Sequence, residues 1–248
     1  MKIVISNTKT FYKIFSLLSN FGETITIKCN DGIQIFSMAC QTSIFVLQID
    51  IGFFETFECT QHVEFTVHGK TFISLLKSFQ NASAITLSYH QDTVVFEVLN
   101  NSQHINLELK TFHIDEDELE IPEVSFSNEY NIVGALLKDW KKDILPYCGN
   151  AINFICNGDA FTLETHSDVG TLKVQETIGE KITTIKHETD MNMTLSASSV
   201  SIITTLNEIA NNITFCYGDN IPIGAKCNIP HAQISMWFAP LICDMEED

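Results

Sequence analysis

Residues 83–92 read SAITLSYHQD, and residues 211–219 read NNITFCYGD. Ile85, Thr86, Leu87 and Tyr89 align with Ile213, Thr214, Phe215 and Tyr217, a displacement of 128 positions from 85 to 213. A second pair moves almost equally. TITIKCNDG at 24–32 aligns with AINFICNG at 151–158, so that Ile25, Ile27, Cys29 and Asn30 match Ile152, Phe154, Cys156 and Asn157, displaced by 127 from 25 to 152. Two independent segments shifted by about half of a 248-residue chain indicate a duplication. Each half is itself doubled, because Ile25-Thr26-Ile27 resembles Ile85-Thr86-Leu87. One unit therefore recurs near 25, 85, 152 and 213.

Outward from these runs, each unit is preceded by a helical pattern. Phe11, Ile14, Phe15 and Leu18 recur at helical spacing in 8–20; Phe72, Leu75, Leu76 and Phe79 do so in 69–81. Val133, Leu136, Leu137, Trp140 and Ile144 do so in 129–145, and Val200, Ile203, Leu206 and Ala210 in 196–210. Each predicted helix has one apolar stripe for a core and one polar stripe left over. The runs that follow are rich in Ile, Val, Thr and Phe and are punctuated by Asn-Asp-Gly, His-Gln-Asp, Asn-Gly-Asp and Gly-Asp-Asn, which reads as antiparallel strands joined by turns. Helices on one face of antiparallel sheets make an α+β architecture. Residues 114–128, IDEDELEIPEVSFSN, crowd six carboxylates around Pro122 and read as a solvated strap between the halves. The expected organisation is a first domain over 1–113, a connector over 114–128 and a second domain over 129–248.

Composition limits the function. All 14 basic residues are Lys, against 31 Asp+Glu, for a formal net charge of −17. With no Arg there is no arginine finger and no bidentate Arg readout of guanine. Such acidity argues against a protein that coats nucleic acid, yet leaves room for a local basic stripe. The N-terminus lacks a signal-peptide pattern and no apolar run is long enough to span a bilayer, so no membrane role is expected. The eight Cys form no CxxC pair, which points to reduced thiols in an intracellular compartment and to no metal or other cofactor. Cys59 and His62 place a thiol near an imidazole in sequence, but no nucleophile–base–orienter set can be assembled, and no enzymatic activity is expected.

The Lys are not scattered. Lys9 and Lys13 fall on the polar face of the first helix, Lys70 and Lys77 on that of the second, and Lys138, Lys141 and Lys142 on the third. The fourth offers Ser198, Ser201, Thr205 and Glu208 and is neutral to slightly acidic. Surface Lys on one helix is ordinary. Lys in the same repeated position of three helices makes a positive face on an otherwise strongly negative molecule. Lys without Arg suits mobile, sequence-blind contact with phosphates.

With these features in place, the chain resembles the DNA sliding clamps of the proliferating cell nuclear antigen (PCNA) family along nearly its whole length. The resemblance is carried by Cys29-Asn30-Asp31-Gly32-Ile33-Gln34-Ile35 with Ser37-Met38, by Gly52-Phe53-Phe54 with Phe57-Glu58-Cys59, and by Leu107-Glu108-Leu109-Lys110. Leu119-Glu120-Ile121-Pro122-Glu123 and Phe238-Ala239-Pro240 before an acidic end complete it. The order and spacing of these motifs matter more than any one of them. Missing Arg, a neutral fourth helix and the Trp237-Phe238 pair are departures, and such divergence fits a viral or protist source.

The resemblance implies a homotrimeric ring of two similar clamp domains per subunit. Its helices line a channel around double-stranded DNA, and strands near 103–110 and 170–177 pair between subunits. The implied DNA-facing residues are Lys9, Lys13, Lys70, Lys77, Lys138, Lys141 and Lys142. The implied pocket for short partner peptides is Met38, Leu119, Ile121, Pro122, Pro222, Trp237, Phe238, Ala239 and Pro240. The implied partners are DNA polymerase, other peptide-bearing replication and repair proteins, and a clamp loader, in the nucleus or in the replication compartment of a virus-infected cell. Two alternatives stay open: a subunit of a heteromeric checkpoint-type clamp, and an acidic clamp-like interaction module that does not encircle DNA.

Overall fold

A computed structural model describes residues 1–39, 42–100, 103–114 and 124–241. The chain divides into two compact units, one of Met1–Ile121 with Asn228–Ile234 and the other of Pro122–Cys227 with Ser235–Asp248.

The first half runs β1 (Lys2–Ile5), α1 (Thr8–Leu17), β2 (Thr24–Cys29), β3 (Gly32–Ala39), β4 (Ser43–Asp50), β5 (Thr56–Glu58), β6 (Val63–His68), α2 (Gly69–Phe79), β7 (Ala84–His90), β8 (Thr93–Asn100) and β9 (Gln103–Lys110). The second runs β10 (Asn128–Val133), α3 (Gly134–Asp143), β11 (Ala151–Asn157), β12 (Ala160–Ser167), β13 (Gly170–Thr177), β14 (Ile182–His187), β15 (Met191–Ser196), α4 (Ala197–Thr205), β16 (Asn212–Tyr217), β17 (Ile223–Ile229) and β18 (Ala232–Phe238).

The duplication is explicit in the pairing. In the first half the strand orders are β5-β1-β7-β8-β9 and β4-β3-β2-β6; in the second they are β14-β10-β16-β17-β18 and β13-β12-β11-β15. Adding nine to each strand number of the first half yields the second. Register follows suit. Ile27 stands opposite Ile35 and Phe65, while Phe154 stands opposite Leu163 and Met193. The four runs expected near 25, 85, 152 and 213 are β2, β7, β11 and β16, each the first strand after a helix. Their aligned residues Ile25, Ile27, Ile85, Ile152, Phe154, Ile213 and Phe215 are all buried, because period-2 alternation sends one face of each strand into a core.

One predicted boundary is corrected. The helical pattern read over 129–145 begins as strand: β10 runs to Val133, and α3 starts only at Gly134. Tyr130 and Ile132 alternate inward, and β10 pairs on both sides, with β14 and β16. Two ladders of backbone hydrogen bonds outweigh a helical reading of EYNIV. The other helices lie within their predicted spans, with α1 and α4 tightening into 3-10 turns over Leu18–Asn20 and Leu206–Glu208.

The helices are anchored at their starts. Asn7 and Ser196 cap α1 and α4, their side-chain oxygens accepting from Thr10 and Ser199 amides at 3.3 and 3.1 Å. Each N-terminus is also tied to the segment leading into the strand after its companion helix. The Gly69 amide donates to Glu23 O at 2.8 Å, that of Gly134 to Asn211 O at 2.7 Å and that of Ala197 to Asn150 O at 2.9 Å. At the start of α1 the Thr8 hydroxyl is shared between Gln80 O and Ala82 O, at 2.9 and 3.0 Å. Gly134 is required by this approach, since a Cβ there would lie 2.8 Å from Ala210 O. Thus α1 packs beside α2, and α3 beside α4, in matched poses.

Beneath each pair lies an aromatic core. Phe15 and Phe72 rings lie 5.4 Å apart and Phe72 and Phe96 5.5 Å apart in the first unit. In the second, Phe161 stacks on Trp140 and meets Tyr130, Phe154 and Phe215. Burial pushes the Cys29, Cys216 and Cys227 thiols up to about 12, the nearby Cys59 adding to the effect at Cys29, so these three stay protonated and pack as small apolar groups.

Candidate nucleic-acid interface

The polar stripe of α1 carries Lys9 and Lys13 one turn apart, opposite buried Phe11, Ile14 and Phe15. That of α2 carries Lys70, Ser74 and Lys77, opposite Phe72 and Leu76. Lys9, Lys70 and Lys77 are exposed and Lys13 is half-buried. On α3, Lys138, Lys141 and Lys142 are exposed, with Leu136, Leu137 and Trp140 buried beneath. The seven predicted Lys therefore lie on helices with their cores on the opposite side, four in the first unit and three in the second.

Ion pairs reveal what linear spacing conceals. Lys141 Nζ lies 3.4 Å from Glu208 Oε1, across from α3 to the turn that ends α4. Lys142 Nζ lies 3.8 Å from Asp143, and Asp139 lies 3.9 Å from Lys181, which also reaches Glu176 at 3.7 Å. Lys141 and Glu208 are 67 positions apart, so only the packing of α3 against α4 joins them.

The two predicted pairing strands are both edges. β9 ends the order β5-β1-β7-β8-β9, and β13 ends the order β13-β12-β11-β15. Both show the same alternation. Ile105, Leu107 and Leu109 in β9, and Leu172, Val174 and Glu176 in β13, are half-buried between exposed neighbours. Leu107 lies opposite buried Phe96, and Val174 opposite buried Leu163.

A crystal structure of Proliferating Cellular Nuclear Antigen from Entamoeba histolytica superposes with a TM-score of 0.89 at 17% identity, over 97% of this chain and 98% of that one. Residues 2–119 match the family model described as Proliferating cell nuclear antigen, N-terminal domain. The remaining half repeats the strand order of the matched one. The chain is thus similar to the PCNA family in sequence over its first half and in fold along nearly its whole length. Among its relatives, Proliferating cell nuclear antigen 2 of Drosophila melanogaster is 20% identical over 97% of both chains. Probable DNA polymerase sliding clamp 2 of Paramecium bursaria Chlorella virus 1 is 25% identical over 70% of this chain and 65% of that protein.

Against the PCNA resemblance, the expected peptide-pocket residues distribute as follows. Met38 lies in β3 of the first unit and is 38% exposed. Pro222 precedes β17 in the second unit; Trp237 and Phe238 end β18, and Ala239 and Pro240 follow it. Trp237 is 7% exposed and Phe238 is 0%, so both side chains are packed in. The buried Trp237 indole N–H meets no hydrogen-bond acceptor among the described residues. Leu119, Ile121 and Pro122 lie outside the described residues. Cys59 and His62 engage different partners: the thiol donates to the carbonyls of Cys29 and Gln61 at 3.5 and 3.1 Å, and the imidazole Nε2 lies 3.6 Å from Glu64.

Proposed function

We propose that this protein is a DNA sliding clamp, a processivity factor that closes a ring around duplex DNA and tethers polymerases to it. The observation that carries this reading is the duplicated topology across the chain, with lysine-bearing helices paired over each core and unpartnered edges at β9 and β13. Topology rather than affinity retains such a protein, which is how a chain of net charge −17 serves a polyanion. The homotrimer forms by β9 of one copy pairing with β13 of the next, which supplies partners to two edges that would otherwise need protection. Lys9, Lys13, Lys70, Lys77, Lys138, Lys141 and Lys142 face the channel. A loader opens the ring, in the nucleus or in the replication compartment of an infected cell.

The test is topological. Protein loaded on a nicked circular duplex should stay bound through gel filtration and leave when the circle is cut by a restriction enzyme. Equal retention on circle and line would refute encirclement. A monomer that trimerises only with other subunits would instead place it in a heteromeric clamp.

Partner peptides are proposed to insert apolar and aromatic side chains against Met38, Leu119, Ile121, Pro122, Pro222, Trp237, Phe238, Ala239 and Pro240. Ile121→Ala and Trp237→Ala together should weaken binding of an aromatic-bearing clamp peptide at least about tenfold, the scale expected when interface anchors are truncated. Calorimetric titration reads this directly, and unchanged affinity in the double variant removes the pocket.

A further inference from the structure

The two helix pairs carry different charge. No Asp or Glu lies in α1, in α2 or in the turn Leu18–Asn20, so Lys9, Lys70 and Lys77 stand against no carboxylate on their own helices. On the second pair, Lys138, Lys141 and Lys142 share α3 and the end of α4 with Asp139, Asp143 and Glu208, three positive charges against three negative on these helices, with Lys181 also reaching Asp139 at 3.9 Å. The balance is local as well as arithmetic. Lys141 is held by Glu208 at 3.4 Å and Lys142 by Asp143 at 3.8 Å. By contrast, no ion pair among the described residues engages Lys9, Lys70 or Lys77; Lys138 has none either, but it adjoins Asp139 on the mixed-sign stripe of α3.

Resting on the clamp reading, we infer that each subunit grips DNA phosphates with the α1–α2 pair alone, and that the α3–α4 pair is a self-neutralised face that DNA passes without contact. A Lys contributes to phosphate binding by displacing counterions condensed on the DNA. A Lys already neutralised by a carboxylate at salt-bridge distance must first give up that partner. Opposite charges closer together than a Debye length, about 8 Å at physiological ionic strength, also cancel the field that would draw the phosphate in. Lys9, Lys70 and Lys77 have neither handicap, and their helices are held in place. Thr8 ties the start of α1 to Gln80 and Ala82, and Gly69 ties the start of α2 to Glu23. Each subunit thus holds DNA more lightly than seven equivalent Lys would.

Lysine acylation read by mass spectrometry, on wild-type protein free and loaded on a nicked circular duplex, tests this. Lys9, Lys70 and Lys77 should label at least threefold more slowly on DNA, while Lys138, Lys141 and Lys142 change less than twofold. The triple variant Asp139→Asn, Asp143→Asn, Glu208→Gln should bring the α3 lysines into protection. It should also steepen the dependence of log affinity on log salt for a short linear duplex, by about 0.9 for each added phosphate contact. Equal protection of both pairs in the wild type overturns the inference, as does protection of neither pair in protein still retained on the circle. Failure to be retained on the closed circle at all overturns the clamp reading beneath it. The two failures are therefore distinguishable.

Discussion

Replacing Leu107 and Val174 together by Asp should convert the assembled protein to monomers and abolish its retention on closed circular DNA. Both residues are half-buried on edge strands, on the faces that cover Phe96 and Leu163. In a lone subunit each is open to water on the side where another strand would lie, so an Asp there stays hydrated and the sheet tolerates it. Once β9 and β13 pair between copies, that open side closes and two carboxylates face a dry seam. Burying a carboxylate without a partner costs several kcal/mol. Like charges close together across a strand pair oppose association further. Light scattering should show one subunit mass where the proposed trimer gives three, and release from a nicked circle should become as fast as from a line. Circular dichroism should be unchanged. A variant that remains trimeric would place the subunit contact elsewhere.

The parts legible in sequence were those governed by local periodicity. Ile25, Ile85, Ile152 and Ile213 each open a buried strand after a helix because alternation and turn residues set both. The start of α3 was misplaced because Val133 fits either period, and only the paired strands β14 and β16 decide for strand. Face assignment of the seven Lys needed only the 3.6-residue period. Their ionic state needed contacts over 67 residues, such as Lys141 with Glu208, which no local pattern encodes. The burial of Trp237 was likewise out of reach, since a Trp beside a Pro fits a core or a surface pocket equally well.

Weak identity between the halves also has a physical cause. Leu87 stands opposite Phe96 in the first unit, and at the equivalent positions Phe215 stands opposite Ala225. The large and small members of the pair have exchanged strands. At a second site the pair is enlarged rather than exchanged: Cys29 faces Ile33, while Cys156 faces Phe161. A core constrains its total packed volume more than the identity of any one residue, so one pair that shrinks and another that grows preserve the fold while erasing the alignment.

That volume constraint makes Phe161 a costly residue to truncate in the second unit. It is 0% exposed, and its ring centroid lies 5.6 Å from Tyr130, 6.1 Å from Trp140, 6.2 Å from Phe154 and 6.3 Å from Phe215. Four large rings cannot collapse into the space left by a fifth. Phe161→Ala should therefore cost about 3–5 kcal/mol, the transfer and cavity contributions together. Phe161→Leu should cost less, because it keeps most of the volume and the equivalent position is the aliphatic Ile33. Hydrogen exchange should localise the damage: amides of β11, β12 and β15 lose protection, while those of β2, β3 and β6 keep theirs. Trp140 lies on α3 and stacks on Phe161, so the lost support also loosens the helix that presents Lys138, Lys141 and Lys142. The Lys141–Glu208 pair should weaken with it, and acylation of free Phe161→Ala protein should proceed faster at Lys141 than in the wild type, with Lys9 and Lys70 unchanged. A loss below about 1 kcal/mol would mean that the ring cluster relaxes freely, contrary to the close packing of protein interiors.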